Sequence, residues 1–338
     1  MRGGDSILGV GVIGLGVGLE HAAAFAAHPR CRLVVLCDLD PAKEEVVRRR
    51  FAGAAFTTRA RQVLEDPAVD VVVVASYDDV HYAQTRDALL NGKHVFVEKP
   101  LCQDREQLQH LREILRRRPE LKISSNLIMR RYPRFLWLKE ALAAGELGRP
   151  YYIEGDYNYG RLHKITRGWR GGLDFYSVVQ GGGIHLLDLM MWLLEDRVVE
   201  VTAMGSDLAS RGSRFRFDDL VVCLLRFAGG VLGKMAVNFA CVHPHFHVLN
   251  LYGTKATFFN GMHHGLLYTS RRFPDPPRVI DAPYPGVPKG EMVADFVEAV
   301  LTDREPPVSR EEVFAAMSLC LAVDQAVKEN RKVEVRYF

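Results

Sequence analysis

The sequence predicts two domains of different class: a doubly wound α/β domain with a parallel sheet over residues 1–126, and an α+β domain on a mostly antiparallel sheet over 127–338. Three observations carry this. Short apolar runs alternate with helical patterns through the first third of the chain, the rhythm of right-handed βαβ crossovers. One run, Asp70–Ala75 (DVVVVA), is β-branched at nearly every position, as a strand buried on both faces must be. Beyond residue 130 strand-like stretches follow one another and helices gather at the ends, which suits an antiparallel sheet.

In order, Ile7–Ile13 reads as a strand, Leu19–His28 as an Ala-rich helix, Arg32–Cys37 as a strand and Pro41–Phe51 as a helix with proline in its first turn. Arg59–Glu65 is helical. Val80–Leu90 is a helix stopped by Asn91-Gly92, His94–Val97 a strand, Asp104–Arg118 a helix and Leu121–Ser125 a strand. Pro133–Ala144 reads as a connecting helix closed by Gly145. The strands of the second domain are Tyr151–Tyr159, Val198–Met204, Leu220–Phe227, Val231–Phe239 and Phe246–Tyr252, with Ala228-Gly229-Gly230 as a hairpin turn. One helix, Ile184–Leu194, interrupts them, and Glu291–Leu301 and Arg310–Glu329 close the chain. The Pro-rich segment Phe273–Pro288 reads as a surface excursion.

Composition narrows the function. A length of 338 residues is ample for two cores, and a formal charge of +3 is too small to drive nucleic-acid binding. The densest basic runs, Arg48–Arg50 and Arg116–Arg118, sit at helix ends where cations are favoured. Six cysteines form no CxxC pair, and reduced, buried thiols suit a cytoplasmic protein. Met1–Ser6 is polar and Gly-rich, without a signal-peptide pattern, and no apolar stretch approaches the ~20 residues that span a bilayer. A soluble protein with no membrane partner is expected.

The first strand ends in Gly14-Leu15-Gly16-Val17-Gly18 and runs into a helix. Glycines there let a backbone turn approach a pyrophosphate at a helix N-terminus. The third glycine stands at 18, where the usual G-x-G-x-x-G spacing expects it at 19, so a tighter helix start is expected. Asp38 ends the next strand about 20 residues on, where a carboxylate accepts the ribose hydroxyls of NAD and repels the phosphate of NADP. NAD is therefore expected, with NADP possible. Lys99, in His94-Val95-Phe96-Val97-Glu98-Lys99-Pro100, lies at the carboxyl end of a parallel strand, the ligand end of such sheets. Gln180-Gly181-Gly182-Gly183-Ile184-His185 opens an apolar helix, and Asp188 shares a helix face with His185, where a carboxylate can orient an imidazole.

Taken together, GVIGLG at 11–16, CDLD at 37–40, VEKPL at 97–101 and GGGIHLLDLMMWL at 181–193 resemble the glucose–fructose oxidoreductase/inositol dehydrogenase/rhizopine-catabolism (Gfo/Idh/MocA) family. SSNLIMRRYPRF (124–135), GELGRP (145–150), LYGTKATF (251–258) and the closing Asp295–Val335 segment extend the resemblance over nearly the whole chain. It implies a Rossmann domain followed by a domain with a large open sheet, and a homodimer or homotetramer formed through that sheet. It also implies hydride transfer between NAD(P) and a ring carbinol of a sugar, an inositol or a sugar derivative. Lys99 and His185 take the catalytic positions. Gly14, Gly16, Gly18, Asp38, Ser76, Glu98, Lys99 and Asn126 match cofactor contacts, and Arg130 or Arg131 matches a stretch lining nicotinamide or substrate.

One departure stands out. Many dehydrogenases of the family carry Asp or Asn four residues before the histidine, where this chain has Gly181; Asp174 and Tyr176, just upstream, are candidates to replace it. The substrate pocket is expected to draw on Tyr157, Tyr159, Arg161, His163, Lys164 and Arg170, polar and aromatic groups suited to a polyhydroxylated ring or to an anionic substituent. Arg131, Tyr176 and Asp188 join Tyr159 and Arg170 as substrate-side residues. His243, His245 and His247 would share one side of a strand, a plausible metal-binding spacing, but no acidic partner lies close in sequence and no metal is expected. The alternatives are a non-catalytic dinucleotide-binding sensor or subunit, and a redox-neutral lyase or glycosidase that oxidises its substrate transiently.

Overall fold

The strand β1 (Leu8–Ile13) is buried at every position and lies inside a six-stranded sheet, in the computed structural model that describes residues 6–338. The polar lead at residues 1–5 lies outside the described residues. The chain continues through α1 (Gly18–Ala27), β2 (Cys31–Cys37), α2 (Lys43–Arg50), β3 (Ala55–Thr57), α3 (Ala60–Leu64) and β4 (Val71–Val74). Then come α4 (His81–Leu90), β5 (His94–Val97), α5 (Arg105–Arg117) and β6 (Ile123–Ser125). The order is β3-β2-β1-β4-β5-β6 and every pairing is parallel. Strand order therefore reverses between β1 and β4, the switch point outside which doubly wound sheets bind ligands. The edge strand β3 escaped the sequence reading because three partly exposed residues make no periodic signal.

The second unit holds α6 (Pro133–Ala143), β7 (Pro150–Asn158), α7 (His163–Thr166), α8 (Ile184–Leu194), β8 (Val198–Ser206), β9 (Leu220–Phe227) and β10 (Leu232–Asn238). It continues with β11 (Phe246–Gly253), β12 (Thr257–Asn260), β13 (Gly265–Tyr268) and β14 (Arg278–Ile280). After these come α9 (Val293–Thr302), α10 (Arg310–Glu329) and β15 (Val333–Glu334). Nine strands form one sheet in the order β14-β13-β12-β11-β7-β10-β9-β8-β15, antiparallel except for β7 beside β10. One face receives α8: a Cβ on Gly155 of β7 would lie 2.9 Å from Met190 Cε and 3.2 Å from Leu186 Cδ2. The other face is open and leaves Met204, Leu224 and Leu232 exposed.

Two expectations change. The Phe273–Pro288 segment supplies the edge strand β14, and its Tyr284 packs edge-on against Tyr132 and Phe135 at 5.4 and 5.7 Å, so it is more than a surface excursion. Residues 288–314 belong with the first unit, whereas the sequence reading carried the second domain unbroken to 338. The apolar side of α9 explains this: Phe296 meets Phe96 of β5 at 5.5 Å, and a Cβ on Gly290 would lie 2.5 Å from the Cβ of Ala24 in α1.

Within the second unit two buried polar clusters fix α8 and the turn before it. The Arg130 guanidinium grips both oxygens of Asp188, Nε to Oδ2 at 2.8 Å and Nη2 to Oδ1 at 2.5 Å, with both side chains buried. Asp324 of α10 accepts hydrogen bonds from Ser177 Oγ at 2.7 Å and Gln180 Nε2 at 2.9 Å, which ties down the residues leading into the glycine run. Burial pushes the Asp324 carboxyl up to about 6, although those two donors favour its charged form.

Asp188→Ala removes the carboxylate that the buried Arg130 guanidinium grips and is expected to lower the midpoint of urea denaturation, whereas Asp188→Asn, which keeps an acceptor oxygen, should cost less. Asp324 titrates near 3.9 when unfolded and about 6 when folded, so the unfolded chain binds fewer protons in between and stability falls as pH rises through that window. Denaturation from pH 4 to 8 should show that fall in the parent and a flatter profile in Asp324→Asn.

Candidate active site

At the carboxyl end of β1 each glycine does something different. Gly14 has φ +90°, and a Cβ there would lie 2.3 Å from the Ala75 carbonyl oxygen, so only glycine makes this turn. Gly16 has no atom within 4 Å of its Cβ position, leaving its backbone open to a ligand. Gly18 opens α1 one residue before the expected start, and a Cβ there would meet Ala75 Cβ and Val12 Cγ1 at 3.2 Å. Its part is helix–strand packing, the usual office of a third glycine in such loops. Asp38, just past β2, accepts the Leu15 N–H on Oδ2 at 2.7 Å and the Asp40 N–H on Oδ1 at 3.0 Å. The carboxylate thus holds the loop in place, and each oxygen keeps a lone pair for a ribose hydroxyl.

Ser76, just past β4, hydrogen-bonds Gln84 Oε1 through its hydroxyl at 2.7 Å. His81 joins the exits of two strands: its Nδ1 lies 2.7 Å from the Pro100 carbonyl and its Nε2 3.2 Å from that of Ser76. Past β5, the buried Glu98 receives Asn126 Nδ2 and His21 Nε2 on one oxygen, each at 2.8 Å. Burial by itself would raise the Glu98 carboxyl, but the hydrogen bond and charge of His21, the neighbouring Lys99 ammonium and the Asn126 amide hold it well below the usual carboxylate range. Asn126 Oδ1 is buried with no hydrogen-bond partner among the described residues, an acceptor suited to a donor on a bound nucleotide. Lys99, half-buried, follows Glu98 directly. His21 and His81 were not singled out in the sequence; a polar residue on the buried side of an Ala-rich helix was the available sign for His21. An open Gly16, a pinned Asp38 and the Asn126 acceptor fit a dinucleotide in this crevice.

In the second unit, residues Val179–Gly183 form a π-helical turn that runs into α8, with His185 on its first turn and 9% exposed. All three glycines are packed from beneath. A Cβ on Gly182 would lie 2.8 Å from the Tyr157 ring, and one on Gly183 would lie 3.1 Å from Met235 Cε. At Gly181 the Cβ position is already occupied, for the Tyr176 hydroxyl lies 2.2 Å from it. Tyr176 therefore fills the space left by the missing acid, while Asp174 is exposed.

Tyr157 stacks with His185 at 6.2 Å and 14°, and with Tyr159 at 6.0 Å and 26°. Burial pushes its phenol far above the ordinary range. His245 and His247 lie 5.2 and 4.9 Å from the Tyr157 ring and 4.8 Å from each other. His243 stands apart, beside Phe246 at 6.3 Å, so only two of the three histidines share a side. No group of three His, Cys, Asp or Glu side chains placed to hold a metal occurs among the described residues. Arg170 stacks over Trp169 at 4.4 Å and lies 5.9 Å from the Tyr176 ring. Asp188 is engaged by Arg130, while Arg131, the one of the pair expected on the substrate side, is half-exposed.

Comparison with known proteins agrees with this geometry. Residues 8–125 match the GFO_IDH_MocA "Oxidoreductase family, NAD-binding Rossmann fold", and residues 135–259 match the "GFO/IDH/MocA C-terminal domain". An inositol 2-dehydrogenase of Rubrobacter xylanophilus is 30% identical over 265 residues, 76% of this chain and 72% of that protein. A myo-inositol 2-dehydrogenase of Thermotoga maritima is 26% identical over 340 residues, 96% of this chain and 98% of that protein. In fold, the solved structure of a levoglucosan dehydrogenase with NADH and levoglucosan aligns with a TM-score of 0.85 at 20% identity, covering 98% of this chain and all of that one. A six-stranded parallel sheet with a glycine-rich turn at its switch point, a Glu-Lys-Pro strand end and a glycine-led histidine helix on a nine-stranded sheet make this chain a member of the Gfo/Idh/MocA family of NAD-binding oxidoreductases.

Proposed function

We propose that the chain oxidises a ring carbinol of a sugar, an inositol or a sugar derivative, with NAD as hydride acceptor. The observation that carries this reading is the placement of Lys99 at the carboxyl end of β5, in the same sheet and at the same end as the open Gly16 turn. The inositol dehydrogenases among its relatives support the substrate class. The repulsion expected between Asp38 and a ribose phosphate supports NAD over NADP.

Bound NAD would supply the hydride acceptor. His185 takes the hydroxyl proton as the carbinol becomes a carbonyl, a proton transfer suited to an imidazole near neutral pH. The Lys99 ammonium stabilises the developing alkoxide through a charge-assisted hydrogen bond. Glu98, braced by His21 and Asn126, holds the Lys99 turn. Tyr176 supplies the hydroxyl that stands for the acid absent at Gly181: side chains four apart on a helix are about 5–6 Å apart at Cβ, so that hydroxyl lies within reach of His185. The open sheet face, with Leu224 and Leu232 exposed, is the surface for a homodimer or homotetramer. Six cysteines, none in a disulfide, favour the cytoplasm.

A screen of inositols and sugars that follows nicotinamide absorbance, with NAD and NADP separately, tests the function. Tight NADH binding with no turnover of any member would point to a non-catalytic binding protein, and glycoside cleavage without net NADH formation to a redox-neutral enzyme. Lys99→Ala is expected to lower kcat by about 10²–10⁴-fold with NADH affinity, read by fluorescence titration, nearly unchanged. Tyr176→Phe should lower kcat and shift its pH profile. Gly181→Asp alone should overpack against Tyr176 and lose stability, whereas Gly181→Asp/Tyr176→Ala should regain activity relative to Tyr176→Ala. An unaltered pH profile in Tyr176→Phe would remove the phenol from the mechanism.

A further inference from the structure

Asp324 of α10 is a carboxyl group set where charge is costly. It forms no ion pair among the described residues, and the charge that bears on it is a second acid, Asp218, just ahead of β9. Burial, with Asp218 adding to it, pushes the Asp324 carboxyl up to about 6 against the pull of its two donors. Above that pH the fold holds a charge without which it would be more stable. An asparagine would still offer an oxygen to the Ser177 hydroxyl and would carry no charge. A carboxylate kept where a neutral amide would be more stable points to a role other than stability.

The hydrogen bonds of this carboxylate lead to the histidine turn. Ser177 donates its hydroxyl to Asp324 Oδ1 at 2.7 Å, and Ser177 Oγ accepts the N–H groups of Val179 at 3.1 Å and Gln180 at 3.2 Å, the part of a helix N-cap. The other carboxylate oxygen takes Gln180 Nε2 at 2.9 Å, and the Ser177 carbonyl takes the Gly181 N–H at 2.8 Å. Asp324 is thus bonded both to the cap and to a side chain inside the π-helical turn, which runs unbroken into α8 and His185. Ser177 also follows Tyr176 directly, and the Tyr176 hydroxyl stands where a side chain of Gly181 would project. One residue therefore links the phenol, the cap of the turn and the carboxylate, so a shift of Ser177 moves the phenol relative to the imidazole. Hydrogen bonds to a charged acceptor are roughly twice as strong as neutral ones, so the charge on Asp324 sets how firmly Ser177 is held.

We propose that Asp324 is a positioning residue for hydride transfer: through Ser177 and Gln180 its carboxylate holds the turn that sets His185 and Tyr176 for reaction. The proposal rests on the oxidoreductase reading for the word reaction, but the hold on the turn can be measured without turnover. The test compares the full-length parent with Asp324→Asn, Ser177→Ala, Ser177→Thr and the double variant Asp324→Asn/Ser177→Ala, all at pH 8. Hydrogen–deuterium exchange is read over residues 177–185 and global stability by urea denaturation. Turnover is read with the inositol or sugar that the screen above converts fastest. In Asp324→Asn the exchange of the turn should rise about tenfold and kcat fall about tenfold, while KM and NADH affinity barely change and the urea midpoint does not fall. Activity and stability then move apart, which a purely structural role would not produce. Ser177→Thr keeps the hydroxyl and should stay near the parent, and the double variant should be no slower than Ser177→Ala, because both changes break one bridge. Unchanged exchange in Asp324→Asn, an unchanged kcat, or a kcat loss matched by a fall in the urea midpoint would overturn it. Normal turnover with unchanged exchange sinks this inference alone, and raised exchange in a protein whose parent converts no ligand sinks the oxidoreductase reading alone.

Discussion

A side chain at the first two of the three glycines ahead of His185 would collide with what lies beneath it, the Tyr176 hydroxyl at 181 and the Tyr157 and Phe239 rings at 182, and one at 183 would crowd Met235. The second unit's chemistry depends on that close approach. It lets a π-helical turn lie directly on the sheet, sets the imidazole over Tyr157, and brings a phenol to the place where residue 181 would otherwise project. The aromatic floor is continuous from there, through Tyr157 and Tyr159 to His245 and His247, which pack around the Tyr157 ring.

Such a surface must be held rigid, and buried polar clusters do this in each unit. Asp188 of the histidine helix is gripped by Arg130, and Asp324 reaches Ser177 and Gln180 just before the glycines. In the first unit Glu98 is met by a helix side chain, His21, and by Asn126 from beyond β6, so the lysine that follows it sits on a braced turn. In each cluster a buried carboxylate meets several donors, the condition under which burying charge specifies geometry instead of merely costing stability.

The parallel half of the fold was legible because its signals are local. Val71–Val74 announces a central strand by composition, Gly14 announces a turn by the φ that only glycine adopts readily, and the strand–helix rhythm does the rest. The short strands β3 and β12 to β15 were not, since two to four residues carry no period where they lack the β-branched or apolar composition that marks Val71–Val74. The return of α9 to the first unit was hidden for a different reason: an amphipathic helix shows that it has an apolar face, not which core will receive it.

For the site the division is similar. Sequence alone determined the residue types and their order: the glycine turn, Asp38, Lys99 after Glu98, and His185 behind three glycines with no acid at 181. Only the tertiary structure decided what each meets. It showed Gly18 packing against Ala75 and Val12, Asp38 holding the Leu15 amide, His21 bonded to Glu98 across 77 positions, and Tyr176 filling the space beside Gly181 where a side chain would project. Such contacts join residues through the depth of a core, where burial and excluded volume choose the partner, and neither quantity is written in the spacing of a linear chain.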